Sequence, residues 1–522
     1  MIAWRLLRNS PTQPGMCHNA NNLFDYVVVG AGTAGCVLAA RLSEDPSVHV
    51  LLMEAGSPGR RREISMPAAF PALAGSDIDW KDATEPQVNL NGRRMAWPRG
   101  KVLGGSGALS AMIHLRGCRA DYDAWRDLGN PGWGFDDLAP LWTDPPASSA
   151  APPPNKLTEV FLEACQARGI KRYAEFAGPG EEGAGLFPVA RVNGARWDAI
   201  CAFLKPALKR GNLTVWTKVQ TSRVLIEAGR AVGVEYLLRG SRHQVQAERE
   251  VILCGGAVGS AHLLLLSGLG PAQQLEPLGI SVIADLSGVG ANLQDHLATV
   301  LRWICPQPIS FDGATTRRNV LQYRLQHRGP LASNLMEAGA FLKESKSAPA
   351  CDLEILFAPV YSLEHGVARP AEHYGFTLLA ALLTPKSKGA ITLKSADPLD
   401  PPRIEPGYLT ATQDRERLAQ AAARAREIAE SPAFAEYRGS GGADEIEEHA
   451  VSLHHAAGTC RMGQDEQSVV DAALRVRGID GLRVADASIM PLLPRAAPNA
   501  TVMVIAEKAA RLIRQPQSQG NT

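Results

Sequence analysis

Residues 25–29 form an apolar, strand-like run that ends in Gly30-x-Gly32-x-x-Gly35, helical spacing follows over 36–42, and a second apolar run closes at Glu54. Strand, glycine turn, helix and strand in this order predict a βαβ unit. Irregular spacing over 80–87 suggests loop and short strand, and 121–142 reads as short helices and turns. Five prolines among small residues at 143–156 cannot pack a core and predict an extended connector. Helical apolar spacing resumes at 157–167. Alternation over 212–237, broken by a turn at Gly229, predicts adjacent antiparallel strands. Residues 251–254 form a short strand running into Gly255, Gly256 and Ala257, and 261–266 continue as an apolar helix, a second strand-to-glycine-to-helix junction. Between 301 and 445 the pattern turns β-rich, with pieces at 353–360 and 376–383 and a long charged helix at 414–429. A strand at 482–485 precedes Asp486, and 501–513 has the spacing of a closing helix. No internal repeat is visible. The pattern is that of an α/β chain with a β-rich middle portion.

Composition narrows the class. A chain of 522 residues exceeds one ordinary core, so two or more domains are expected. Hydrophobic residues at 45% with 20% charged are the profile of a soluble globular protein. Lys and Arg number 54 against 53 Asp and Glu, a net charge of +1 that gives no electrostatic ground for a nucleic acid or an anionic membrane as partner. Nine cysteines, scattered and without CxxC pairs, read as reduced core thiols, with neither a disulfide framework nor a metal site. Residues 1–22 lack the apolar stretch of a signal peptide and read as a loose tail. No apolar run reaches the roughly 18 residues of a spanning helix. Cytoplasm is the default expectation.

The glycine turn carries the first chemistry. Gly30 makes the tight turn out of the strand, Gly32 lets the backbone approach a pyrophosphate, and Gly35 lets helix and strand pack closely. The helix N-terminus offers free N–H groups and a positive dipole end to phosphates. Glu54, at the end of the second strand, can accept hydrogen bonds from ribose hydroxyls. A lone glycine triplet is weak, but the complete unit predicts an adenine dinucleotide, FAD or NAD. A second glycine cluster, Gly100, Gly104, Gly105 and Gly107, opens the apolar stretch 97–117. Such clusters often only make turns; downstream of a dinucleotide fingerprint, a second wall of the same pocket is the functional alternative.

Four ordered blocks, 30–54, 98–117, 256–271 (GAVGSAHLLLLSGLGP) and 455–508 with HAAGTCRMG and VADASIMP, together with GVGANLQDH at 288–296, resemble the glucose-methanol-choline (GMC) oxidoreductases, nearest to choline-dehydrogenase-like alcohol dehydrogenases. The resemblance spans nearly all of 24–513. It implies a Rossmann-like FAD-binding domain built from discontinuous segments (24–157, 206–300 and 445–514) and a substrate domain with an antiparallel sheet (158–205 and 301–444). Cofactor contacts are implied at Gly30, Gly32, Thr33, Ala34, Gly35, Glu54 and Ala55, at Trp97, Val102, Gly104, Gly105, Ser106, Ser110 and Ala111, and at Thr221, Gly256, Asp486, Ala487, Asn499 and Ala500. The family's general base falls on His455, a residue type whose neutral nitrogen accepts a proton near working pH. By itself a His-His pair would more often be structural, and His454, where the family often has an aromatic, is expected to pack.

Departures from the family pattern are informative. Its second catalytic His or Asn falls on Ala497, which cannot hydrogen-bond a substrate oxygen, so activity is expected to be weak unless Asn499, two residues on, or His454 substitutes. Leu109 stands where some members carry a histidine bonded covalently to the flavin, so FAD is expected to be non-covalent. The Pro-rich connector and the short segment 438–449 predict a more open substrate entrance. The expected function is oxidation of a primary alcohol to an aldehyde, by hydride transfer to flavin N5 with His455 as base and an unidentified electron acceptor. A flavin-binding pseudoenzyme or lyase with little redox activity is the alternative that Ala497 raises; NAD at the fingerprint is a third.

Overall fold

The structure, a computed structural model, describes residues 23–146, 153–174, 176, 178–361, 373–442 and 445–515. The expected tail (1–22) lies outside the described residues, as do 147–152 of the Pro-rich connector and 443–444 of the short segment near the chain's last third.

Leu23–Val29 (β1), Thr33–Leu42 (α1) and Val50–Glu54 (β2) make up the βαβ unit. β1 and β2 are parallel, Val27 lying opposite Leu51. Their sequences are nearly unbroken apolar runs because both faces of the sheet are covered, and every residue from Phe24 to Val29 is buried. Gly183–Leu186 (β3) is followed by Leu213–Thr217 (β4), Gln220–Glu227 (β5), Arg230–Leu238 (β6) and Ser241–Leu253 (β7), and then by the helix Gly256–Leu266 (α2). Next come Leu297–Ile304 (β8), Ala338–Leu342 (β9), Leu353–Ala358 (β10), Gly375–Leu382 (β11) and the helix Thr412–Ala429 (α3). Ala450–Ser452 (β12), Leu482–Val484 (β13) and the helix Asn499–Arg514 (α4) complete the chain.

The first sheet has the order β4-β2-β1-β7-β6-β5, with β13 on the far side of β7. β1 is central, flanked by parallel partners, so its C-terminal end opens onto a crevice where a ligand binds in folds of this kind. β7 serves three neighbours: Ser241 to Gln246 pair antiparallel with β6, and Val251 to Leu253 pair parallel with both β1 and β13. The stretch 212–237 differs from the expected antiparallel set. β5 and β6 are antiparallel, but β4 runs parallel to β2, because the chain turns at Lys218 (φ 62°) and residues 218 and 219 hydrogen-bond back to the carbonyls of Gly56 and Glu54.

The second sheet, β12-β8-β11-β10-β9-β3, is antiparallel throughout. α3 packs on its outer face through Leu418, Ala421, Ala425 and Ile428. Two strands cross the segment limits drawn from sequence: β8 straddles 300/301, and β12 lies in a segment assigned to the first unit. The apolar alternation of LATVLRWI continues without a break across residue 300, so the chain enters the second sheet directly from the loop that precedes Leu297.

The eight described cysteines are all free, six of them buried. Among the described residues no helix is long and apolar enough to cross a membrane.

Candidate active site

A cavity of about 870 Å³ runs between the two sheets, from the end of β1 to the inner face of β8, β10 and β11. Its first half is built by the two glycine clusters. Gly30 takes φ 102° with no room for a side chain, since a Cβ would lie 2.5 Å from the Cys254 carbonyl oxygen. Gly105 (φ 54°) packs against Gly32 so closely that its Cβ would sit 2.7 Å from the Gly32 Cα. Backbone bonds seal the same junction: Gly104 N–H donates to Ala31 O at 2.8 Å, and Leu103 N–H to Ser57 O at 3.0 Å. Clusters some 70 residues apart in sequence thus form one wall. No side chain caps the N-terminus of α1, leaving its first-turn N–H groups for an anion.

Glu54 closes this end. It is buried and accepts from Ala31 N–H (3.0 Å) and Gly56 N–H (2.8 Å), one on each carboxylate oxygen. Burial pushes its pKa up to about 7, against the two backbone donors and Lys101, which favour the charged form. Each oxygen keeps a lone pair for a ribose hydroxyl.

Most of the residues expected at the cofactor line this cavity: Gly30, Gly32, Thr33, Ala34, Glu54, Ala55, Trp97, Gly105, Ser106, Ser110, Ala111, Thr221, Gly256, Asp486, Ala487 and Asn499. Gly35, Val102, Gly104 and Ala500 do not. Gly35 packs helix on strand, its missing Cβ 1.9 Å from Gly30 O, and Val102 is buried with Leu73, Ile78 and Ala108. The Asp486 carboxylate is committed within the protein: it accepts from Gly256 N–H and Ser260 Oγ on one oxygen and from Ser488 N–H and Oγ on the other, at 2.6–2.8 Å. It ties α2 to the loop before α4. Asn499 accepts from Thr33 Oγ1 at 2.7 Å, which joins α4 to the fingerprint helix. Arg196, which sequence reasoning passed over, reaches beneath the second glycine cluster; it donates to Gly107 O (2.9 Å), Ser110 Oγ (3.1 Å) and Ile64 O (2.7 Å).

The far end holds His454, His455 and Ala497. His454 (φ 60°) is in the left-handed region, rare for a residue with a side chain, and lines the cavity instead of only packing. The geometry fixes the state of the next residue. His296 is buried, and its Nε2 lies 3.0 Å from Leu383 O, its Nδ1 2.8 Å from His455 Nδ1. A carbonyl only accepts, so His296 Nε2 carries the proton; its Nδ1 is then an acceptor, and His455 Nδ1–H donates. His455 Nε2 is left with a lone pair. Burial holds His455 well below the ordinary histidine pKa, with the His296 charge as the lesser cause, and burial pushes His296 down to about 3; both rings are neutral at neutral pH. Asp295 fixes the backbone: it accepts from His455 N–H (2.6 Å), Ser452 Oγ (2.5 Å) and Tyr408 Oη (2.5 Å). Asp295 and His296 end the GVGANLQDH stretch, and the signal available was an acid and a histidine set directly before an apolar strand.

Residues 24–298 and 385–506 match the N-terminal and C-terminal halves of the GMC oxidoreductase profile. The chain belongs to the GMC oxidoreductase family. An alcohol dehydrogenase [acceptor] from Pseudomonas putida is 38% identical, over 94% of this chain and 96% of its own length. Among solved structures, pyridoxine 4-oxidase from Mesorbium loti superposes with a TM-score of 0.83 at 32% identity, over 94% of this chain and 98% of that one. A formate oxidase from Aspergillus oryzae, in a variant studied for FAD modification, gives 0.86 at 26% identity, over 95% and 99%. This GMC oxidoreductase is thus an FAD-binding enzyme acting on CH–OH donors. The paired glycine walls, the uncapped helix and Glu54 fit the adenosine and pyrophosphate of FAD by their own chemistry.

Proposed function

We propose that this enzyme oxidises a primary alcohol to an aldehyde with His455 as the general base. The observation that carries the reading is the Leu383 O, His296, His455 chain, which leaves an unprotonated Nε2 on a residue that lines the cavity. FAD bound here would supply the two-electron acceptor for the carbinol hydride, at flavin N5. His455 Nε2 accepts the hydroxyl proton as the carbon–hydrogen bond breaks, and His296 keeps the ring in that tautomer without touching substrate. Gly30, Gly32, Gly105 and the N-terminus of α1 would hold the pyrophosphate, and Glu54 the ribose. Asn499, bonded to Thr33, serves the cofactor more directly than the proton transfer.

Anaerobic mixing of the holoenzyme with a panel of primary alcohols tests the reading. Bleaching of the flavin by at least one alcohol, and aldehyde as product, are expected. No bleaching with any alcohol, in wild type and His455→Ala alike, would support instead the little-redox alternative that Ala497 raises.

Ala497 lines the cavity yet offers no hydrogen bond. Ala497→Asn is expected to raise the flavin-reduction rate about tenfold or more, the scale of one added donor at a developing charge. Rapid-reaction absorbance checks it. Leu109, also in the cavity wall, has no nucleophilic atom, and FAD is proposed to be non-covalent. Acid or heat denaturation is expected to release all the yellow colour into the supernatant; a fluorescent protein band on a denaturing gel would contradict this.

A further inference from the structure

Arg196 carries a charge that the fold alone does not account for. It ends the short strand Ala195–Arg196, paired antiparallel with Arg191–Val192, and is only 6% exposed. All its bonds go to neutral acceptors: Nε to Ile64 O, Nη1 to Gly107 O and Ser110 Oγ. Nη2 is buried with no partner, and among the described residues no carboxylate is ion-paired with Arg196. The acid whose charge it feels most, Asp198, lies two residues on and accepts from Cys201 N–H at 3.0 Å. Burial pushes the Arg196 pKa down to about 10, which still leaves the guanidinium charged at neutral pH. A buried cation without an anion is costly, and an amide could bond carbonyls and a hydroxyl without that cost.

The turn that Arg196 supports lies along the cavity, lined there by Gly107, Leu109, Ser110 and Ala111. A Cβ on Gly107 would stand 2.8 Å from Thr33 Oγ1 and 3.6 Å from Asn499 Oδ1, so the turn adjoins the first residues of both α1 and α4. Ala497, at the far end with His455, is two residues before Asn499. FAD with its pyrophosphate at α1 and its ring near His455 would therefore cross 107–110. No side chain caps α4, so its free N–H groups add to the positive field on this side. The cation that lacks an anion thus sits behind the stretch that an anionic cofactor would cover.

We infer that Arg196 is a positioning residue whose charge, set behind the 107–110 turn, stabilises two-electron-reduced FAD relative to oxidised FAD. This rests on FAD as the hydride acceptor of the proposed reaction and adds a source for its driving force. The alcohol gives its hydroxyl proton to His455 and a hydride, two electrons with one proton, to the flavin. The ring therefore gains one negative charge, while the pyrophosphate charge is the same before and after. In a buried site a fixed cation is felt through the low dielectric without touching the ring. The carbonyls and the hydroxyl that Arg196 grips keep the guanidinium in one place, so the charge is in position before the hydride arrives.

The test measures the potential without any alcohol. Wild-type, Arg196→Gln and Arg196→Lys holoenzymes of verified flavin content and Tm are reduced stepwise with dithionite in the presence of reference dyes, and the apoproteins are titrated with oxidised FAD. In Arg196→Gln, affinity for reduced FAD should fall at least about tenfold more than affinity for oxidised FAD, a drop of about 30 mV or more in midpoint potential. Arg196→Lys, which keeps the charge but not the fork, should stay within about threefold of the wild-type ratio. A measurement on wild type alone is independent of how the variants fold: its reduced flavin should keep the anionic absorbance spectrum to at least about one pH unit below the point at which free reduced FAD takes up a proton. Three results would each overturn the inference in favour of a purely structural bond to the turn: equal weakening of both redox states in Arg196→Gln, equal potentials in the two variants, or a wild-type reduced flavin that protonates where free flavin does. If alcohols bleach the wild-type flavin but the potential does not move in Arg196→Gln, alcohol oxidation stands and the inference fails. If the potential falls as expected but no alcohol bleaches the flavin, Arg196 keeps its role and the reading of the reaction fails.

Discussion

His455→Ala is expected to slow flavin reduction by about 10²–10⁴-fold, the range that a positioned general base contributes, with FAD content unchanged. The side-chain hydrogen bond of His455 goes to His296, and none goes to Glu54 or the glycine walls, so its loss removes no bond within that part of the site. His296 separates positioning from mere packing. His296→Leu deletes both the donor to Leu383 O and the acceptor for His455 Nδ1–H, and should lower the rate of reduction with little change in substrate Kd. His296→Gln can supply an amide N–H and a carbonyl oxygen in their place, and should recover most of the loss. A purely volumetric role would instead be served about equally by leucine and glutamine. The pH profile gives a further check. Because the folded protein holds His455 below the ordinary histidine pKa, it takes up a proton only at lower pH, so the acid limb of the reduction rate should lie below pH 6.5.

Gly105→Ala is expected to weaken FAD binding by at least tenfold, seen as a low flavin-to-protein ratio after purification and as a raised Kd on titrating the apoprotein. Two costs combine. A side chain at φ 54° costs about 1–2 kcal/mol, and its Cβ would press on the Gly32 Cα, where neither partner is a flexible side chain that could yield. About 1.4 kcal/mol of distortion at the binding wall is already tenfold in affinity. Gly169→Ala is the control: it carries a comparable backbone conformation (φ 79°) with nothing within 4 Å, and should keep its flavin. Equal loss in both variants would mean that strain in the chain, not the contact between the glycine clusters, set the result.

The βαβ unit was legible because everything it needs lies within 32 residues: strand period, glycine spacing and an acid at the second strand's end. The helices 156–167, 412–429 and 499–514 were legible from their periodicity to within two residues. β4 was misplaced because alternation reports a half-buried strand but not its neighbour, and a parallel partner 163 residues earlier leaves no local mark. The same limit hid the support of His455. His296 and Asp295 lie 159 and 160 residues before it, and neither donor nor acceptor on a ring nitrogen can be read from a residue name. The four internal hydrogen bonds of the Asp486 carboxylate, two of them from residues 226 and 230 positions earlier, leave no local mark either.

The loop ending in His296 becomes β8 with no intervening residue, since the strand starts at Leu297 and carries Val300 and Arg302 into the cavity wall. The machinery that sets the proton acceptor and the surface that shapes the ligand are therefore one continuous piece of chain. An engineer who grafts this sheet from a relative to change selectivity will also move the support of the base. Altered preference and altered turnover should then arrive together in such chimeras, and single replacements on the cavity face of β10, three strands away from β12 and two from β8, offer the cleaner route to separating them.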